Sequence, residues 1–177
     1  TMDADFRVFE DGAIAVRDGK LAAIGTSGDL AARYTAKRTL DARGAIIMPG
    51  LVNAHGHAAM SLFRGLADDR ALMDWLRNYI FPAEAKLVDE AFVRAGTKLA
   101  LLEMALGGTT TYVDMYYFED AVADETAKAG LRGILGQTLI DFPAPDFKTW
   151  GAMTAATDAY LAKWKGHRLI VPAAAPH

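Results

Sequence analysis

The chain has 177 residues, 52% of them hydrophobic and 23% charged, and its 19 Lys and Arg against 22 Asp and Glu give a net charge of −3. That composition excludes disorder as a description of the whole, and the lack of a basic excess argues against nucleic acid or an anionic membrane surface as partner, which leaves small molecules. The absence of cysteine removes disulfides, thiolate nucleophiles and thiolate ligands together, so any metal must be held by His and carboxylates.

In chain order, Ala13 to Arg17 and Lys20 to Ile24 flank Asp18-Gly19, which predicts a β-hairpin. A second hairpin is expected from Arg38 to Asp41 and Ala45 to Met48 around Ala42-Arg43-Gly44. After Pro49-Gly50 the pattern changes to strands alternating with helical periodicity, the signature of βα units on a parallel sheet. Leu51 to Ala54 is the first strand. Leu72, Trp75, Leu76, Tyr79 and Ile80 share a helical face that Pro82 should terminate. Val88, Phe92, Ala95, Leu99, Leu102 and Leu106 form the apolar stripe of a longer helix, with Asp89 and Glu90 suited to its first turn and Gly107-Gly108 to its end. Thr109 to Val113 is a β-branched strand, Ala121 to Ala129 a helix closed by Gly130, and Leu131 to Leu135 a third strand. Met153, Ala156, Thr157, Tyr160, Leu161 and Trp164 mark one more helix before a fourth strand at Leu169 to Val171.

Four β/α steps from Pro49 to His177 occupy roughly half of the ~250 residues of an eight-fold barrel, which suggests half a barrel; an open doubly wound sheet is the alternative. The chain stops directly after an apolar strand, so the expectation is a fragment of a longer polypeptide that also lacks a strand before Thr1. No apolar run approaches the ~20 residues of a membrane span, and Thr1-Met2-Asp3-Ala4-Asp5 has no signal-peptide character, so the expected location is the cytoplasm.

His55-Gly56-His57 follows the first strand of the parallel sheet. Residues two apart in a strand point to one side, so both imidazoles can converge on a single ion, at the carboxyl end of a strand where ligands of such folds collect. His167 precedes the fourth strand, at the opposite end of the sheet, and reads as a surface residue. His177 follows that strand and by geometry alone could be a third ligand. Read locally, Glu84 is a solvated carboxylate and Trp75 a core residue; Asp114, at the end of the second strand, reads first as a hydrogen-bonded structural residue, with a ligand or a residue that orients a ligand as the alternatives, and Asn53 is in support.

The run Ile46 to His57, with Leu62-Phe63-Arg64-Gly65-Leu66-Ala67-Asp68-Asp69, Gly108 to Met115 and Ala175-Pro176-His177, resembles the amidohydrolase superfamily and its cytosine/adenosine-deaminase-like branch. Phe81 to Leu87 looks most like the methylthioadenosine/S-adenosylhomocysteine deaminases. The resemblance covers essentially the whole chain and implies an α/β architecture: the N-terminal half of a (β/α)₈ TIM-type barrel over 49–177, preceded by part of a small β-sandwich over 1–48. It implies a zinc-dependent hydrolase with one divalent ion, iron being the other metal found in relatives. His55 and His57 would be two of its ligands, and the third His, the ligand Asp and the proton-shuttling Glu would come from strands beyond this segment.

The same resemblance makes Glu84 the acceptor of ribose hydroxyls, sets His177 over the substrate and keeps Trp75 as an aromatic of the pocket. Val171 to Ala175 offers no Lys for a binuclear centre. Gly136-Gln137-Thr138 stands where some S-adenosylhomocysteine deaminases carry an Arg, which favours methylthioadenosine, adenosine or another uncharged aminated heterocycle unless another Arg, such as Arg64, takes that role. The implied activity is hydrolytic deamination, by a full-length homo-oligomer rather than by the 177-residue piece alone. The alternatives are a triazine-type or guanine-type amidohydrolase and a non-catalytic truncated barrel that serves as a binding domain.

Overall fold

A computed structural model describes residues 1–177, which divide into two compact units, Thr1–Pro49 and Gly50–His177. In the first, β1 (Gly12–Arg17) and β2 (Lys20–Thr26) form the hairpin that Asp18-Gly19 predicts. Both turn residues take positive φ, 52° and 72°, the backbone a tight hairpin with the right twist requires. A helix absent from the sequence reading follows, α1 (Ser27–Arg33), capped by the Thr26 side chain accepting from the Asp29 amide; it buries Leu30.

The second predicted hairpin does not form. Its turn exists, with the Ala45 N–H donating to the Ala42 carbonyl at 2.9 Å and Arg43 and Gly44 at positive φ. The flanking residues make no ladder, and Leu40, Ile46, Ile47 and Met48 stay exposed. Two short segments with no apolar surface to lie on gain too little to offset the ordering of their backbone.

The second unit is a four-stranded sheet in the order β3 (Leu51–Asn53), β4 (Thr109–Tyr116), β5 (Arg132–Leu139), β6 (Ile170–Pro176), every pair parallel. The sequential order and the helices between successive strands make this the barrel-type βα succession, not a doubly wound one. Tyr112, Asp114 and Tyr116 of β4 align with Gly133, Leu135 and Gln137 of β5 on the face that the helices cover. Thr111, Val113 and Met115 alternate to the other face, together with Ile134 and Val171.

Between β3 and β4 the chain forms a 3₁₀ segment over Ala58–Phe63, then α2 (Leu72–Trp75), a π-type turn over Leu76–Ile80, α3 (Phe81–Leu87) and α4 (Glu90–Leu106). Pro82 terminates nothing. It occupies the first turn of α3, where a missing N–H is harmless, and the wide turn before it carries the helix past.

The predicted stripe of α4 is also corrected. The buried positions are Val93, Gly96, Thr97, Ala100 and Leu101, while Leu102 and Leu106 are 58% and 80% exposed. Small residues define the covered side because the 3₁₀ segment lies directly on the helix: a Cβ at Gly96 would run into the Ala59 carbonyl. Further along, α5 (Glu119–Ala129) ends on Gly130 in the left-handed conformation, and α6 (Trp150–Trp164) buries Met153, Thr157, Tyr160 and Trp164, the face read from its periodicity.

Candidate metal and substrate site

β3 stops at Asn53, so His55 and His57 lie in the loop beyond it and not on the strand itself. Strand alternation therefore does not bring the imidazoles together; the loop does. Its ring centroids stand 5.2 Å apart at 79°. The loop is gripped from several sides. The His55 N–H donates to Asn53 Oδ1 at 3.2 Å, the Met115 N–H to the Gly56 carbonyl at 3.3 Å, and the Ala58 N–H to Asp114 Oδ1 at 2.7 Å.

His57 Nδ1 sits 2.6 Å from the Met115 carbonyl. A carbonyl only accepts, so Nδ1 carries a proton and Nε2 is left as the ring nitrogen that can ligate, the arrangement of a metal-ligating histidine oriented by a second group. Two imidazoles, one with its tautomer fixed, fit two of the three protein donors that a catalytic zinc takes. No group of three or more His, Asp or Glu able to hold a metal is assembled within residues 1–177.

Asp114 is 2% exposed, and its Oδ2 has no partner. Burial pushes its carboxyl up to about 7 against the opposing pull of the Ala58 amide. Its contact to the backbone beside His57 makes it an anchor of the loop, in keeping with the structural role read from sequence.

Glu84 is not a solvated carboxylate. It is 5% exposed, and the Tyr116 hydroxyl donates to its Oε1 at 2.8 Å. Burial raises its pKa, while the Tyr116 and Tyr117 hydroxyls favour the ionised form and pull it down. The Tyr116 ring lies 6.4 Å from the His57 ring and 4.9 Å from that of Tyr117. Tyr116 thus joins the histidine loop to Glu84, a link the sequence reading missed; the only available sign was a Tyr pair just past a strand, at the end where ligands gather.

The structure does not bring Trp75 or His177 to this cluster. Trp75 is half-buried, with its indole N–H donating to the Leu66 carbonyl at 3.0 Å. His177 is exposed beyond β6, its N–H donating to the Leu139 carbonyl at 2.9 Å, on the sheet edge opposite β3. His167 is exposed and packs edge-on against Trp164. Gln137 is 4% exposed and wholly engaged inside the protein: its Oε1 accepts the Glu119 N–H and its Nε2 donates to Asp146 Oδ2.

The amidohydrolase family pattern matches residues 46–177. The chain is 49% identical over its full length to a 5-methylthioadenosine/S-adenosylhomocysteine deaminase from Syntrophobacter fumaroxidans, of which it covers 40%. It superposes with a TM-score of 0.95 and 40% identity on an adenosine deaminase from Xanthomonas campestris solved with bound zinc, over 97% of this chain and 39% of that one. An atrazine chlorohydrolase from Arthrobacter aurescens complexed with zinc, 23% identical, shares the fold with a TM-score of 0.85 over 99% of this chain and 44% of that one. The chain spans about 40% of the length of the curated relatives it matches. None of its helices is long and apolar enough to cross a membrane.

Proposed function

Starting from the fact that the chain belongs to the amidohydrolase family, we propose that it is the N-terminal portion of a zinc-dependent hydrolytic deaminase of an aminated purine nucleoside, 5′-methylthioadenosine or adenosine. In this reading residues 1–48 are part of a small β-sandwich and 49–177 the first half of the barrel. The observation that carries it is the histidine pair, with His57 Nδ1 held on the Met115 carbonyl so that Nε2 is free to ligate.

His55 and His57 hold a single divalent ion, with further ligands from the rest of the barrel; when bound, the ion supplies an activated water at neutral pH. Asp114, Asn53 and the Met115 backbone keep both rings in register. Glu84 accepts the ribose hydroxyls, a task suited to an ionised bidentate acceptor, and the two tyrosines fix its carboxylate. Trp75 and His177 complete the pocket around the base once the remaining strands close the barrel. The −3 charge supports a small-molecule partner over nucleic acid or membrane. A homo-oligomeric enzyme in the cytoplasm belongs to the same reading.

The test uses the complete protein that contains these residues. It should release ammonia from 5′-methylthioadenosine and adenosine, and His57→Ala should strip the zinc and lower kcat/KM about 1000-fold or more, the scale of losing a metal's several kcal/mol. Full zinc content in that variant, or release of chloride or alkylamine from a triazine without ammonia from any nucleoside, overturns the reading.

A further inference from the structure

The turn between β4 and α5 follows directly on Tyr116, whose hydroxyl donates to Glu84, and it is held in a costly shape. Phe118 sits at φ 52° and ψ 42°, the left-handed region that a bulky residue seldom adopts. α5 has no capping side chain of its own at its start. Two groups from elsewhere meet its first free amides. Asp146 Oδ2 accepts the Phe118 N–H at 3.0 Å, and Gln137 Oε1 accepts the Glu119 N–H at 3.2 Å. The two are tied to each other, since Gln137 Nε2 donates to Asp146 Oδ2 at 2.9 Å. Asp146 Oδ1 takes the Phe147 N–H at 2.9 Å, which fixes the carboxylate on its own loop.

We propose that Asp146 is a positioning residue for nucleoside recognition: through Phe118 and Gln137 it holds the β4–α5 turn in its left-handed form, and so sets where Tyr116 places the Glu84 carboxylate. Asp146 lies in the loop after β5, 62 positions from Glu84, and acts on it only through that turn. The carboxylate is needed because it accepts three N–H groups at once, which an amide in the same place does with one oxygen fewer. The proposal rests on the reading of Glu84 as the ribose acceptor.

The experiment compares adenosine with 2′,3′-dideoxyadenosine, which lacks the diol, in the complete zinc-loaded protein and its Asp146→Asn, Asp146→Ala and Glu84→Gln variants. Asp146→Ala should lower kcat/KM for adenosine about 10-fold or more, chiefly through KM, and leave dideoxyadenosine within about two-fold; Asp146→Asn should fall between. Equal losses on both substrates, or no loss on adenosine, in either Asp146 variant overturn the proposal; if Asp146→Ala fails to fold, Asp146→Asn alone decides it. Glu84→Gln separates the two levels: if it too affects both substrates equally, the ribose role of Glu84 fails, whereas a diol-selective loss there with none in the Asp146 variants removes only the role of Asp146.

Discussion

The two faces of the four-stranded sheet are made by the same strands and differ in almost everything else. On the outer face Tyr112, Leu135 and Ile170 are at most 1% exposed beneath the helices, with Asp114 and Gln137 enclosed among them. On the inner face the matching rows leave Ile134 at 40% and Val171 at 57% exposed. A parallel sheet ordinarily buries both sides. The contrast teaches that the packed core within these residues lies on the outer side, while the inner side is left exposed, to be covered in the proposed barrel by inward side chains of further strands.

The sharpest way to break that comparison is to damage the outer face. Leu135→Ala removes a fully buried side chain and should cost about 2–5 kcal/mol of unfolding free energy, read as a lower urea midpoint. A loss below about 1 kcal/mol would mean that the outer side is not the core.

A smaller, pH-dependent gain is expected from Glu119→Gln. Glu119 is completely buried, neither carboxylate oxygen has a partner, and burial, aided by the nearby Asp114 and Asp146 charges, holds its pKa well above the usual 4.5. Below pH 4.5 the carboxyl is protonated in both folded and unfolded chains and pH has no leverage. Above it the unfolded chain sheds a proton that the folded one keeps, so stability falls as pH rises towards the folded pKa. The glutamine variant escapes that loss and should melt higher than the parent, by about 2–4 °C for each kcal/mol recovered, with a larger margin at pH 8 than at pH 5. Equal melting temperatures at pH 8 would show that the carboxylate is stabilised while ionised.

The smallest effect belongs to the inner face. Val171→Thr should change the stability of the 177-residue chain by less than about 0.5 kcal/mol, because Val171 is already in water. In the complete protein the same change should cost more than about 1 kcal/mol, since a hydroxyl would then be buried without a partner. Identical costs in the two would remove the distinction between the faces.

Much of this architecture was legible as pattern. The four strands, the α6 face and the Asp18-Gly19 turn follow from periodicity and from turn residues whose backbone preferences are strong. What escaped the pattern has identifiable physical causes. The α4 stripe was misplaced because large apolar residues at Leu102 and Leu106 outweigh Gly96, Thr97 and Ala100 on any hydrophobic count, whereas close helix contact selects small side chains. The continuation of the helix through Pro82 depends on a π-type turn that no residue announces. In the site, the histidine pair could be read from spacing and from its place after a strand, although the loop and not the strand joins the rings. The Met115 carbonyl that sets the His57 tautomer is backbone and has no sequence signature. The hydrogen bond from Tyr116 to Glu84 joins positions 32 apart, and only the folded chain reveals it.

The 3₁₀ segment that starts one residue after His57 rests on the bare Cα of Gly96. That seat has the depth of a single methyl group. Filling it with alanine would drive a Cβ into the Ala59 carbonyl and force the 3₁₀ segment off the helix, so the seat of the chain just after the histidine pair is set from beneath by the thickness of a helix surface.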